Sequence, residues 1–302
     1  MRTRRITSTV LAIVAAVVLA SAAQAMSLGS WSSAVNAESI PGTHAGLNSA
    51  ALDGCPFVAQ RDDILYFASG RAGGAGGLDI WFSVRGESGA WGEPVNFAAV
   101  NSPADDFCPA AHRNGRTFLF VSARAGGCGS ADIYMARRHE TKGWSAPANL
   151  GCTINSAAGE ASPSLTDTEL YFSSTRLGGL SDVYVSAFDG TSFGVPALAA
   201  GLNTAQDDFR PNVRRDGLEI FFDSNRPGGV GGLDIWTATR ASTSDPWSTP
   251  TNPGSNVNSA ANDLRASLSW DATTLYFGST RAGGEGSQDL YVTTRPKLTG
   301  SE

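Results

Sequence analysis

The feature that most constrains this chain is a phrase it writes five times. Residues 65–81 read Leu-Tyr-Phe-Ala-Ser-Gly-Arg-Ala-Gly-Gly-Ala-Gly-Gly-Leu-Asp-Ile-Trp, and related phrases occupy 118–134, 170–184, 220–236 and 275–291. Each is an apolar-aromatic run, a Ser-x-Arg-x-Gly-Gly turn, then Asp, an aliphatic residue and an aromatic one. The turn arginines Arg71, Arg124, Arg176, Arg226 and Arg281 are spaced by 53, 52, 50 and 55 residues. A near-constant period of this length marks a repeat architecture, in which each unit buries its apolar face only by stacking on neighbours.

Each unit holds four short runs of strand character separated by Gly, Pro, Asn and Asp, and no window carries helical periodicity. The first run is Cys55-Pro56-Phe57-Val58, with counterparts beginning at Cys108, Ser162, Arg210 and Arg265. Four of the five have Pro in second place, and Pro lacks the ladder N–H, so this run belongs at a sheet edge. The second and third runs are aromatic and β-branched, which suits a packed pleated surface. The fourth is marked by Trp or Phe followed by Pro, as in Trp91 to Asn96. The last unit stops after its third run, and the missing signature stands at the other end of the chain as Trp31-Ser32-Ser33-Ala34-Val35-Asn36. A linear stack has no reason to split one unit across both termini, whereas a closed ring does. The chain is therefore predicted to be all-β, a five-bladed β-propeller whose N-terminal strand completes the last blade. The blades fall at about 55–107, 108–161, 162–209, 210–264 and 265–302 with 28–37.

The aromatic strand, Ser-x-Arg-x-Gly-Gly turn and Asp-Ile-Trp/Tyr strand resemble the WD40-like propeller repeats of the TolB type, over essentially all of residues 26–302. The resemblance implies the propeller. Such repeats occur in periplasmic scaffold and binding proteins, in envelope proteins beside peptidoglycan-binding domains, and as accessory domains of hydrolases, so the fold does not choose a function.

Arg2, Arg4 and Arg5 precede an uncharged run from Val10 to Ala23 and then Ala23-Gln24-Ala25, the pattern of a secretory signal with cleavage after Ala25. The expected location is the bacterial periplasm or the exterior, without a membrane anchor once the signal is removed. A net charge of −6 and the lack of a basic, aromatic-interleaved patch exclude nucleic acid as partner. Four cysteines in an oxidising compartment point to disulfides. Cys128 lies in the second Gly-rich turn and Cys152 in the connection leaving that unit, while Cys55 and Cys108 share a register on adjacent first strands; Cys128–Cys152 and Cys55–Cys108 are predicted. A four-thiolate zinc site is disfavoured by the absence of a Cys-x-x-Cys pair.

The glycine run leads into a strand rather than a helix, so it is a turn and not a phosphate loop. Asp79, Asp132, Asp182, Asp234 and Asp289 close these turns and are expected to accept turn amides, while the five turn arginines pair with carboxylates across or between blades. Asp53, Asp106, Glu160, Asp208 and Asp263, just before the first strands, share the same face, with Asn101, Asn155, Asn203 and Asn258. That network could hold the ring together or bind a ligand. No spacing resembles a Ca²⁺ loop, and no metal or cofactor is expected. An active or binding site should break the five-fold symmetry, which singles out Arg210 and Arg265 where other units have Cys or Ser, His112 and Arg214 just beyond, and the acid doublets ending at Asp106 and Asp208.

No Gly-x-Ser-x-Gly elbow is present. The expected function is that of a non-enzymatic exported module, a monomer, binding a protein, peptide or glycan of the cell envelope. The alternative is a carbohydrate-active hydrolase or lyase using carboxylates at the channel mouth. An enzyme should show an asymmetric pair of acids free of arginine, and a scaffold should show every acid paired.

Overall fold

The computed structural model describes residues 28–298; the signal segment of residues 1–25 lies outside them. Five antiparallel sheets are arranged in a ring as a five-bladed β-propeller. The innermost strands are Asp53–Val58, Asp106–Ala111, Glu160–Leu165, Asp208–Val213 and Asp263–Leu268. Each is followed by a second strand (Ile64–Ser69 in blade 1), a third (Asp79–Val84) and a short outer strand (Val95–Asn96). In blade 5 the outer strand is Val35–Asn36, which pairs with Val292 and Tyr291 of the third strand. The two ends of the chain thus share one sheet.

Blade 4 departs from the four-stranded pattern. Its outer strand is reduced to one bridge, Thr237 with Thr251; Pro253 stands where Phe97, Leu150 and Ala199 of other blades donate an N–H to Ile80, Ile133 and Val183 O, and it has none to give.

The cores lie between blades. One apolar cluster joins blades 1 and 2 around Tyr66, Phe97 and Phe118, and others fill the remaining interfaces. The Trp or Phe opening each outer strand packs on the preceding blade, as Trp91 does on Tyr276 and Trp247 on Tyr171. Trp31 does the same for the split blade, meeting Phe221 of blade 4 at 6.2 Å. Closure also uses the joint found elsewhere in the ring. The Asp53 N–H donates to Gln288 O at 2.9 Å, as the Asp106 N–H donates to Leu78 O at 2.8 Å.

Every inner strand carries a bulge at its third position, where Cys55, Cys108, Ser162, Arg210 and Arg265 have φ between 48° and 60°. A non-glycine residue held in this left-handed region costs of order 1–3 kcal/mol. The bulge turns these side chains and the following prolines into the channel wall.

Both disulfides form with the predicted partners, Cys55–Cys108 and Cys128–Cys152. The first lies in the channel wall rather than on the rim. The second closes a loop with a sequence separation of 24, and a double Cys128→Ser/Cys152→Ser variant is expected to lose about 3 kcal/mol on the chain-entropy estimate. Denaturant titration of the oxidised protein and the variant measures this, and equal midpoints would show that the bridge adds nothing.

Candidate functional site

On the face that carries the Gly-rich turns, the side chains satisfy one another in a motif repeated five times. Arg124 Nε donates to Ser122 Oγ at 2.7 Å, and Nη2 donates to Val100 O at 2.7 Å and to Asp106 Oδ1 at 2.6 Å. Its guanidinium lies over Phe120 and Tyr134. The same acid's Oδ2 accepts the Ser102 N–H and hydroxyl. The pairs Arg71–Asp53, Arg176–Glu160, Arg226–Asp208 and Arg281–Asp263 repeat this within single blades. The expected pairing across blades is corrected here, since the arginine turn and the acid belong to one sheet. The asparagines tie each connection between blades back onto the blade it leaves: Asn101 takes the Ile80 N–H on Oδ1 and donates to Ile80 O, and Asn48 does the same with Leu290 of blade 5. The Asp79 carboxylate accepts the Ala75 and Gly76 amides. Asp106 and Asp208 are fully buried and bonded on both oxygens, so neither presents a free carboxylate to a ligand.

The channel wall is asymmetric. Cys55, Cys108 and Ser162 occupy three of the five bulges, and Arg210 and Arg265 the other two. Arg210 Nη1 donates to Asp223 Oδ2 at 3.1 Å, and the Arg265 backbone N–H donates to the same carboxylate. Burial pushes the Asp223 carboxyl up to about 6, and burial, reinforced by Arg210, brings Arg265 down to about 9. Sequence reasoning passed over Asp223, although its register was informative. The second strands place Ala68, Val121, Ser173 and Gly278 where blade 4 has this acid.

The opposite mouth gathers the other departures. A pocket of about 50 Å³ is lined by all five blades, including Phe57, His112, Arg113, Arg214, Arg215 and Trp270. Apart from Phe57, which lies within its inner strand, these residues follow on the inner strands, where the five units no longer agree in sequence. His112 and Arg214 were legible as departures. Arg113, Arg215 and Trp270 stand one residue further on and were missed, because alignment had ended with the strand. No carboxylate lines this pocket. Arg214 is held by Asp216 at 2.8 Å and Glu219 at 3.0 Å, and Arg113 pairs with Asp167. Arg215 is exposed, lies 5.2 Å over the Trp270 ring, and has no ionic partner among the described residues. His112 is buried, and burial lowers its proton affinity. Its Nε2 stands 3.5 Å from Asp167 Oδ1 without a hydrogen bond. A shallow groove of about 540 Å³ continues outward past Arg113, Thr166, Asp167, Arg215 and Asp216.

Among the described residues no cluster of three or more His, Cys, Asp or Glu could hold a metal ion, and no helix is long and apolar enough to cross a membrane.

Fold and site together define a five-bladed propeller with a self-paired polar face and an opposite mouth lined by Arg113, Arg214 and Arg215, the first two of them paired with acids. No family model and no curated protein matches the chain. Among solved structures it is similar to an α-L-arabinofuranosidase from Lactobacillus brevis, with a TM-score of 0.55 at 11% identity, covering 88% of this chain and 95% of that one. An α-L-arabinofuranosidase from Podospora anserina gives 0.53 at 12%, over 89% and 97%. A protein assigned as TolB from Agrobacterium tumefaciens gives 0.51 at 14%, over 90% and 99%. Identities this low establish the propeller fold alone.

Proposed function

We propose that this is an exported, non-catalytic binding module of the TolB-type repeat class, acting in the periplasm or outside the cell, and that it recognises an acidic glycan of the envelope at the mouth that carries Arg215. The observation that carries this reading is Arg215 on Trp270, an exposed guanidinium over an aromatic face at the join of a small pocket and a longer groove. Aromatic faces pack against sugar rings, and guanidinium groups bind carboxylates in forked geometry. The inner pocket is far below the usual 300–1,000 Å³ of an engulfing site. It suits an end group, with the rest of a chain lying along the groove. The two disulfides suit an oxidising compartment.

The hydrolase reading keeps one specific support besides the fold of the arabinofuranosidases. Asp167 and Asp216 line the same groove, and glycosidases work with two carboxylates. Each of these acids, however, is bonded to an arginine, Arg113 or Arg214. Calorimetric titration with oligogalacturonates and with neutral oligosaccharides of equal length separates the readings. The acidic series is expected to bind, and Arg215→Ala to weaken it about 5–20-fold, a loss in line with a charge-assisted contact. Equal affinity for both series would overturn the glycan-charge reading. Turnover lost in Asp167→Asn or Asp216→Asn would establish the enzyme instead.

A further inference from the structure

An arginine recurs where the third strands end, as Arg85, Arg138, Arg240 and Arg295, with Phe188 in its place in blade 3. Three of these guanidiniums lie over the Trp that opens the blade's own outer strand: Arg85 over Trp91 at 5.2 Å, Arg240 over Trp247 at 4.3 Å and Arg295 over Trp31 at 4.4 Å. Arg240 and Arg295 also pair with the first residue of the preceding blade's second strand, Glu169 and Glu219. For Arg85 the matching residue is Thr274, and its Nε donates instead to Gly89 O of its own hairpin. In blade 3, Phe188 stacks on Phe193 at 4.7 Å. Each of these joints is closed by the protein's own side chains.

Blade 2 keeps the arginine and the tryptophan but not the closure. Arg138 and Trp144 are register partners, yet the Arg138 guanidinium is exposed, lies over no ring and has no ionic or hydrogen-bond partner among the described residues. The position of the missing glutamate holds Ile64, the first residue of blade 1's second strand. A cavity of about 260 Å³ opens at this joint, with Ile64, Tyr66 and Trp144 as apolar walls. Its charged lining is Arg61, Asp63 and Arg138, none of them ion-paired among the described residues, so one guanidinium is in excess. Arg61 is held at φ 73° in the left-handed region, a strained conformation of the kind that clusters at ligand sites. His112 forms the wall shared with the mouth pocket; it is 9% exposed, and neither ring nitrogen has a partner among the described residues. Burial raises the Tyr66 phenol to about 12 against the pull of Arg138, which keeps its hydroxyl a donor across the neutral range.

We propose that this joint is a second ligand site, separate from the Arg215 groove, and that it takes a carboxylate borne on a single six-membered ring. The ligand's carboxylate fills the place that Glu169 and Glu219 occupy at other joints and is forked by Arg138, while the ring packs between Ile64 and Trp144. The cavity lies just under the usual lower bound of about 300 Å³ for ligand pockets, enough for one ring. Asp63 on the rim disfavours a phosphate dianion. Sugar acids and aromatic acids share the chemistry required.

Titration of the mature protein, followed by tryptophan indole N–H resonances, tests this with galacturonate and benzoate as the acids and galactose and benzyl alcohol as their neutral counterparts. One or both acids are expected to shift the Trp144 indole and neither neutral counterpart to do so; which acid binds tells a sugar acid from an aromatic one. Arg138→Ala is expected to weaken binding about tenfold or more, as loss of a charge-assisted pair does. Ile64→Glu, which installs the closure found between blades 3 and 4 and between blades 4 and 5, is expected to abolish the shift without lowering the thermal midpoint. Ile64→Thr, which installs the residue of blades 2 and 5, is expected to keep it. Arg215→Ala is expected to leave the Trp144 response intact, which separates this site from the mouth that Trp270 reports. No Trp144 shift with either acid, equal shifts with the neutral counterparts, or binding undiminished in Arg138→Ala or Ile64→Glu would each overturn the proposal. A response confined to Trp270 would overturn it too, while leaving recognition at the mouth standing.

Discussion

Deleting residues 28–36 is expected to lower the thermal unfolding midpoint by more than about 10 °C, using a scale of roughly 2–4 °C per kcal/mol for chains of this size or a little smaller. The segment is short, but it supplies the outer strand of blade 5. Val35 and Asn36 pair with Val292 and Tyr291, and the Ser32 N–H donates to Thr294 O at 2.7 Å. Trp31 is buried against Phe221 and Ile235 of blade 4. The Arg295 guanidinium lies 4.4 Å over its ring and grips Glu219 of blade 4 through both oxygens, at 2.9 and 2.8 Å. Truncating a buried Trp alone costs about 3–5 kcal/mol, and the deletion also exposes the edge of Asp289–Thr294. Trp31→Ala is expected to give most of the loss. A truncated protein with an unchanged midpoint would show that the ring closes without its latch.

The second large effect is expected from Arg124→Ala. Removing the arginine leaves Asp106 buried with its charge uncompensated, a change that costs about 3–5 kcal/mol where a buried pair is broken. The Val100 carbonyl and Ser122 hydroxyl lose a donor at the same time. Arg124→Lys is expected to recover less than half, because an ammonium on a single stem cannot reach three acceptors lying in a guanidinium's plane. Urea unfolding measures both variants. A loss below about 1 kcal/mol for Arg124→Ala would place this pair with exposed ion pairs, which contribute little, and would leave the repeated arginine without its structural role.

The architecture was legible because its signals repeat. Five copies of one turn, four prolines at one register and an orphaned Trp31 segment admit few solutions other than a closed ring. The cysteine pairs were legible for the same reason, since register places Cys55 beside Cys108. The site was legible only in part. His112 and Arg214 stand out as departures from the repeat, but a linear sequence does not say which mouth they face. Asp106 and Asp208 drew attention as acid doublets, yet the inner acid of each is consumed by Arg124 or Arg226, a pairing that depends on how the turn folds back over its own blade. Arg215 and Trp270 come together from adjacent blades, 55 residues apart in sequence, and no local pattern announces that contact.

Ligand recognition is expected at the mouth opposite the Gly-rich turns. Amide and indole chemical-shift mapping during titration with an oligogalacturonate tests that placement directly. The expected result is perturbation of the Trp270 indole and of the amides of Arg113, Thr166 and Arg215, with the turn amides of Gly74, Gly127 and Gly229 unmoved. Perturbation centred on those turn glycines, with Trp270 silent, would contradict it.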